Sequence, residues 1–493
     1  MYMSKTRIAT EVHDLQLPLE LWLQIFIHSP KSSLRAAALA CHALRCLAQP
    51  LLFKLFIARL DESSTESIKR DFHPHTTGTR LDVLQNAYVA SAIKELRIVP
   101  GDVSSTLPHD RNVIVDAIFN VVPTLTNLTT LVCHDITFTR AHLLVIRTIP
   151  HLHEVELQSC RTICQPQDFP DFSTVPLRTL IFDYPHSSVN PATNTPLLAL
   201  FLQCRNLARI SAGHTEDILV ALTQTPPTDR LVTLEVPASC IGSSMLVAAL
   251  AACSGVQDIL FYMPIGLNQL PLLEHPSNIG VLPNLRSYRG PMIYAHNFTR
   301  GRHVTNIEFA LPIQGPSELC PMLESLDSNM ESFSCNLSSL DAQVFQTIHS
   351  SFPSLKKLTI SGVRIDIDTI AAILMGYDSR SRIQRNKLEH IQLYISTGEP
   401  RLTDSWRSAV SKMFLSYLLR AYPSLRTAKL VYEPQTAVAW ARPSNVMSKG
   451  VVTVETADMW VEKRESELYR TNAIWDIVKE KLAYARVTST FED

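Results

Sequence analysis

One short hydrophobic pattern, apolar-x-x-apolar-x-apolar, recurs along most of the chain. Its copies begin at Ile93, Leu128, Leu152, Leu177, Leu207, Leu231, Val256, Leu285, Val304, Met330, Leu355, Leu388 and Leu425. Alternating apolar positions inside each copy are the period-2 signature of a strand with one buried face. Between copies the spacing turns helical, over residues 113–122, 141–149, 196–204, 216–222, 245–253, 342–352 and 412–422. Several of these stretches close on Pro123, Pro150, Asn206, Pro353 or Pro423 just before the next copy. Proline has no N–H to continue a helical ladder, so it marks a stop. The first and last copies lie 332 residues apart over twelve intervals, a mean period of about 28. Strand, turn, helix and return at that period make one coil of a solenoid. No coil buries its own apolar stripe, so neighbours must stack and share a core. The predicted fold class is therefore α/β, a solenoid of about 13 irregular repeats over residues 81–440.

The pattern resembles the leucine-rich-repeat family, and the resemblance implies a horseshoe. The family often places Asn or Cys three positions beyond the third apolar residue. Here that slot holds Ile136, Cys160, Pro185, Ser239 and Val363, so only Cys160 fits. Intervals run from 19 to 37 residues, which implies insertions such as residues 396–410. The alternative is an ordinary α/β protein with strands and helices in alternation. No G-x-G-x-x-G or G-x-x-x-x-G-K-[ST] follows any of the strands, so a nucleotide-binding version of it lacks its phosphate loop.

Residues 15–60 differ from the rest: 29 of these 46 positions are apolar. They read as three helices, Leu17–His28, Lys31–Cys46 and Pro50–Leu60, with Pro18 in a first turn and Ser32 or Ser33 capping the second. Leu17, Leu21 and Ile25 form one stripe, while Leu19, Trp22 and Phe26 lie on others. A bundle this small has too little volume to cover several apolar faces, and a face left over marks a partner site. LPLELWLQIF, Leu34, Ala40-Cys41, Leu47 and LAQPLLFKLF together resemble an F-box, and the AQPLLF ending is similar to large fungal F-box families. Leu44 stands where that family often has Trp, and Ala40 where it often has Val. The resemblance implies docking on the Skp-type adaptor of a cullin–RING ubiquitin ligase, through Leu17, Pro18, Leu21, Ile25 and Phe26. The competing reading is a hydrophobic N-terminal cap on the solenoid. Residues 1–14 read as a disordered N-terminus, 61–80 as a polar linker that holds the bundle off the first repeat, and 441–493 as a C-terminal capping segment with a helix.

Composition narrows the chemistry. Lys and Arg number 45 against 46 Asp and Glu, a net charge of -1, so no global basic field points to nucleic acid or an anionic membrane. The longest smoothly apolar run, residues 245–253, is nine residues, and a bilayer span needs about 20. The first residues show no signal-peptide pattern. The expectation is a soluble intracellular chain, cytoplasmic or nuclear, with reduced and mostly buried cysteines. No G-x-S-x-G, H-E-x-x-H or kinase-type loop occurs, and the 17 histidines are scattered. The chain is thus expected to have no catalytic residue, cofactor or metal of its own.

Partner recognition falls to the strand residues that point away from the core. Up to Val304 these include seven acids, Glu95, Glu154, Glu156, Asp183, Glu235, Asp258 and Glu308, against Arg97, Arg209 and Arg289. From Met330 onward they give Lys357 and Lys429 and no acid. Tyr262, Tyr394, His134 and His390 are candidate contact anchors on the same places. Glu154, Glu156, Asp183, Glu235, Tyr262, Lys357 and Tyr394 are the expected target-binding set. The function expected from both resemblances is a substrate-recognition adaptor of a Skp–cullin–F-box ligase, holding an unknown target protein. The alternatives are a repeat scaffold without a ligase role and an α/β enzyme whose cleft the sequence does not display.

Overall fold

A computed structural model describes residues 17, 19–60, 81, 84, 86–100, 108–183, 195–213, 217–225, 229–263, 282–326, 329–338, 340, 342–363, 387–395, 418, 422, 424–432, 436–441 and 451–456. The chain divides into two compact units, residues 1–284 and 285–493.

The first unit opens with α1 (Leu19–Ile27), α2 (Lys31–Ala40) and α3 (His42–Leu52), followed by β1 (Leu55–Arg59). It continues with α4 (Ala87–Ala92), β2 (Glu95–Val99), α5 (Pro108–Val121), β3 (Thr130–His134), β4 (Thr137–Phe138), α6 (Arg140–Thr148) and β5 (Glu154–Gln158). Next come β6 (Arg161–Thr162), β7 (Thr179–Asp183), α7 (Thr195–Leu202), β8 (Arg209–Ala212), α8 (Asp217–Gln224), β9 (Thr233–Pro237), α9 (Met245–Ala251) and β10 (Asp258–Tyr262).

Its main sheet is parallel and runs in chain order, β1-β2-β3-β5-β7-β8-β9-β10, while β4 and β6 form a small parallel pair. The register sets like positions side by side. One apolar row is Phe56, Leu96, Leu131, Val155, Leu180, Ile210, Leu234 and Ile259. A second row carries Ile98, Cys133, Leu157, Phe182 and Ala212. Apart from Phe56, all of these are buried. Each large aliphatic or aromatic side chain taken out of water contributes about 1.5–3 kcal/mol, so the rows hold the sheet together.

The crossover helices add their own fastening. Thr139 caps α6 by accepting the His142 backbone N–H at 3.4 Å, and His142 Nδ1 accepts the Thr139 N–H at 3.3 Å. The other ring nitrogen of His142 lies 2.7 Å from Asp116 Oδ1 on α5, and the ring stacks on Phe119 at 4.4 Å. A buried imidazole is tolerated here because every polar atom has a partner.

The second unit holds β11 (Ser287–Gly290), α10 (Met292–Thr299), β12 (Asn306–Ile313), α11 (Pro316–Glu324), β13 (Ser332–Leu337) and α12 (Ala342–Ser351). It ends with β14 (Lys357–Val363), β15 (His390–Ile395), β16 (Thr427–Tyr432), β17 (Thr436–Ala441) and β18 (Val451–Thr456). Strands β11 to β16 are parallel neighbours in chain order, whereas β17 and β18 pair antiparallel. Tyr288, Ile307, Phe333, Leu358, Ile391 and Ala428 form the inner row, and Phe309 and Phe352 pack their rings on Phe333. The register slips between Glu308 and Pro312, where a residue without an N–H stands in the ladder.

All thirteen copies of the sequence pattern are strands, each beginning two residues after its first apolar position. Six of the seven expected helices are present; residues 412–422 lie outside the described residues apart from Leu418 and Tyr422. The N-terminal expectation needs correction in three places. The second helix is broken at Cys41, whose extended backbone ends α2 and whose sulfur caps α3 by accepting the Leu44 N–H at 3.5 Å. Pro30, not a serine, stands at the N-cap of α2. The expected third helix over residues 50–60 is the end of α3 and then β1, in register with β2.

This first strand has the same signature as the others, Phe53-x-x-Phe56-x-Ala58, and again starts two residues after its head. Residues 61–80 therefore do not separate the helices from the sheet; they fall between two hydrogen-bonded strands. Residues 1–14, 61–80 and the expected C-terminal helix lie outside the described residues. Residues 451–456, within the expected C-terminal capping segment, are a strand.

Candidate interaction surfaces

The N-terminal helices offer the first surface. Trp22 and Phe26 point into a small core with Leu34 and Ala48, their rings 5.6 Å apart. Leucines 44, 47, 51 and 52 pack around that core. With α2 and α3 covering only one side of α1, its other side stays in water. Leu17, Leu21 and Ile25 are 39%, 49% and 46% exposed, whereas Phe26 is 6% exposed. Of the expected adaptor contacts, three form an exposed stripe, Phe26 serves the core, and Pro18 lies outside the described residues. Ile27 and Leu39 are exposed as well and were not singled out from the sequence. The module is also fastened to the sheet. Only Phe53 and Lys54 separate α3 from β1, and the Tyr88 hydroxyl on α4 donates to the Cys46 carbonyl at 3.2 Å.

The second surface is the face of the first unit's sheet opposite the apolar rows. Across it run Glu95, Thr130, Glu154, Thr179, Arg209, Thr233 and Asp258, in register. The next row is Arg97, Val132, Glu156, Ile181, Ser211 and Glu235, with His134, Gln158 and Asp183 side by side beyond it. Glu154, Glu156, Asp183, Glu235 and Tyr262 thus share one face, as expected.

Their environments differ. Arg97 pairs with Glu95 at 2.6 Å, and Arg209 with Glu235 at 2.6 Å. Burial pushes the Glu156 carboxyl up from the usual carboxylate range; the Gln158 amide donating at 2.6 Å and nearby Arg97 pull it back, while Glu154 and Asp183 push it further. Burial, with Arg97 beside it, lowers the His134 pKa to about 4. Burial, with Asp183 as the next cause, also raises the Tyr262 phenol, whose hydroxyl donates to the Ala212 carbonyl. Tyr262 is therefore a tie between strands as much as a contact anchor. At Gly213 a Cβ would fall 1.8 Å from Asp183 Oδ1 and 2.7 Å from its Cα, so only glycine lets these strands approach.

In the second unit the corresponding face carries Lys357 and Tyr394, with the Gln392 amide donating to the Tyr394 hydroxyl. Their neighbours are mainly hydroxyl and amide side chains: Ser332, Ser334, Asn336, Thr359, Ser361 and Thr427. Arg289 pairs with Glu308 at 3.0 Å.

Among the described residues no group of three His, Cys, Asp or Glu side chains is placed to hold a metal. All ten cysteines are free, and seven of them are buried. No described helix is long and apolar enough to cross a membrane. No family model and no curated protein matches the chain.

Proposed function

We propose that this chain is the substrate-recognition subunit of a Skp–cullin–F-box ubiquitin ligase. In this reading α1 to α3 are an F-box that docks a Skp-type adaptor, and the stacked strands are a leucine-rich-repeat solenoid that holds a target protein. The observation that carries it is the division of labour on α1. Trp22 and Phe26 hold the bundle, while Leu17, Leu21 and Ile25 are left in water. An apolar stripe of this kind gains most by burial against a partner. The ligase would act by proximity, because tethering turns a bimolecular encounter into an effectively intramolecular one. The short connection from α3 into β1 supports that role, since it fixes where the docked adaptor stands relative to the first strands.

The same connection favours a second reading. Helices packed against the first crossover are also what the N-terminal cap of a repeat scaffold looks like. Co-purification of the full chain with a Skp-type adaptor separates the two. The ligase reading expects a stoichiometric complex, lost on Leu21→Asp with Ile25→Asp while the fold persists. A wild-type chain that captures no such adaptor leaves the scaffold.

A further inference from the structure

We infer that the sheet face from β5 to β10 receives a basic segment of a partner protein, with the stem of one Arg or Lys lying on Ile181 and its charge on Glu156 and Asp183. The inference rests on the reading that the sheet holds a target, and it names the chemistry of that target.

Three observations carry it. The outward places of the five strands β5, β7, β8, β9 and β10 hold five carboxylates, Glu154, Glu156, Asp183, Glu235 and Asp258, against one guanidinium, Arg209. That guanidinium is already paired with Glu235. The chain as a whole is nearly neutral, so the acidity belongs to this face. A nucleic acid would be repelled from it.

The second observation is the apolar setting. Glu156 stands in register between Val132 and Ile181, and among the described residues its carboxylate accepts a hydrogen bond from the Gln158 amide. A carboxylate beside apolar side chains suits a long cationic side chain, whose methylenes cover the apolar surface while its head pairs the charge. The third is placement. Ile181 lies between the two carboxylates, with Glu156 opposite it on β5 and Asp183 two residues further along β7 on the same face. A guanidinium supplies five donors in a fork that fits carboxylates.

The test uses the full chain and two fluorescein-labelled peptides, one of Gly-Arg-Ser repeats and one of Gly-Glu-Ser repeats, read by anisotropy. The Arg peptide should bind, more weakly as salt rises, and the Glu peptide should not. Glu156→Gln with Asp183→Asn should weaken binding by about tenfold or more. Asp168→Asn with Glu324→Gln makes the same charge change at exposed positions off this face, and should weaken it by no more than about twofold. Melting temperatures of both variants verify the fold. Absence of Arg-peptide binding, equal binding of the Glu peptide, or equal losses in the two double variants would overturn the inference. Adaptor capture is measured on the same samples. If the wild type takes the peptide but no adaptor, the ligase reading falls and the basic-segment site stands.

Discussion

The sheets of the two units are built on one strand pattern, yet their outward faces carry opposite charge. From β5 to β10 the face has five carboxylates and one guanidinium. From β11 to β16 it has Arg289, Lys357 and Lys429 against Glu308, set among hydroxyls and amides. The inward rows do not diverge in this way: Leu180 and Leu358 occupy the same motif place and are both fully buried. Packing fixes the inner positions because any polar or smaller side chain there opens a cavity or strands a charge. The outer positions are less constrained by packing, so their charge differs between the two sheets.

The largest effects should be common to both units. Leu180→Ala and Leu358→Ala should each cost about 2–5 kcal/mol, read as lost hydrogen-exchange protection of the strands around the substitution. A loss confined to one unit would break the equivalence of the two sheets. Within α1 the contrast is sharper. Phe26→Ala should destabilise the helical segment by about 3–5 kcal/mol, whereas Leu21→Asp with Ile25→Asp should leave melting nearly unchanged.

Acidification comes next. His134 in the first unit and His349 in the second both have pKa values lowered to about 4, in each case mainly by burial. Above pH 6.5 both are neutral whether folded or not. As the pH falls toward 4 the unfolded chain takes up protons that the folded chain refuses, so stability falls through that window. Each site contributes on the order of 2–3 kcal/mol, and His134→Gln should remove the first unit's share from a pH series of melting curves.

A smaller effect tests the charge contrast directly. Lys357→Glu with Lys429→Glu should give the second face measurable affinity for the Arg peptide, with total binding rising by about twofold to fivefold. Smallest of all is Glu156→Gln. Its carboxyl is raised by burial, so its stabilising share is present only at low pH and is lost as pH rises through the folded value. At neutral pH the glutamine should therefore melt about 1–2 °C higher while binding the peptide less well.

The strands were legible because their pattern repeats: even the copies headed by Leu207, Leu285 and Met330, whose last apolar places hold only Ala212, Gly290 and Cys335, are strands. The first strand was not, although Phe53, Phe56 and Ala58 follow the same rule. Its residues continue the dense apolar run of α3, where helical and strand spacings coincide, and no proline or glycine marks the change after Leu52. The exposed stripe of α1 was legible from the spacing of Leu17, Leu21 and Ile25. That Phe26 belongs to the core was not, since only packing against Leu34 and Ala48 decides which stripe is inside.

The sequence by itself determined the alternation of strand and helix, the inward rows and the sign of the charge on each stretch of outward positions. These follow from local periodicity, which any chain of this pattern must satisfy. Only the tertiary structure decided that the helices run straight into the first strand. It also set Glu156 beside Ile181 and left Asp183 Oδ1 without a hydrogen-bond partner among the described residues. Those facts depend on register and close approach between segments far apart in the chain, and periodicity within one segment carries no information about either.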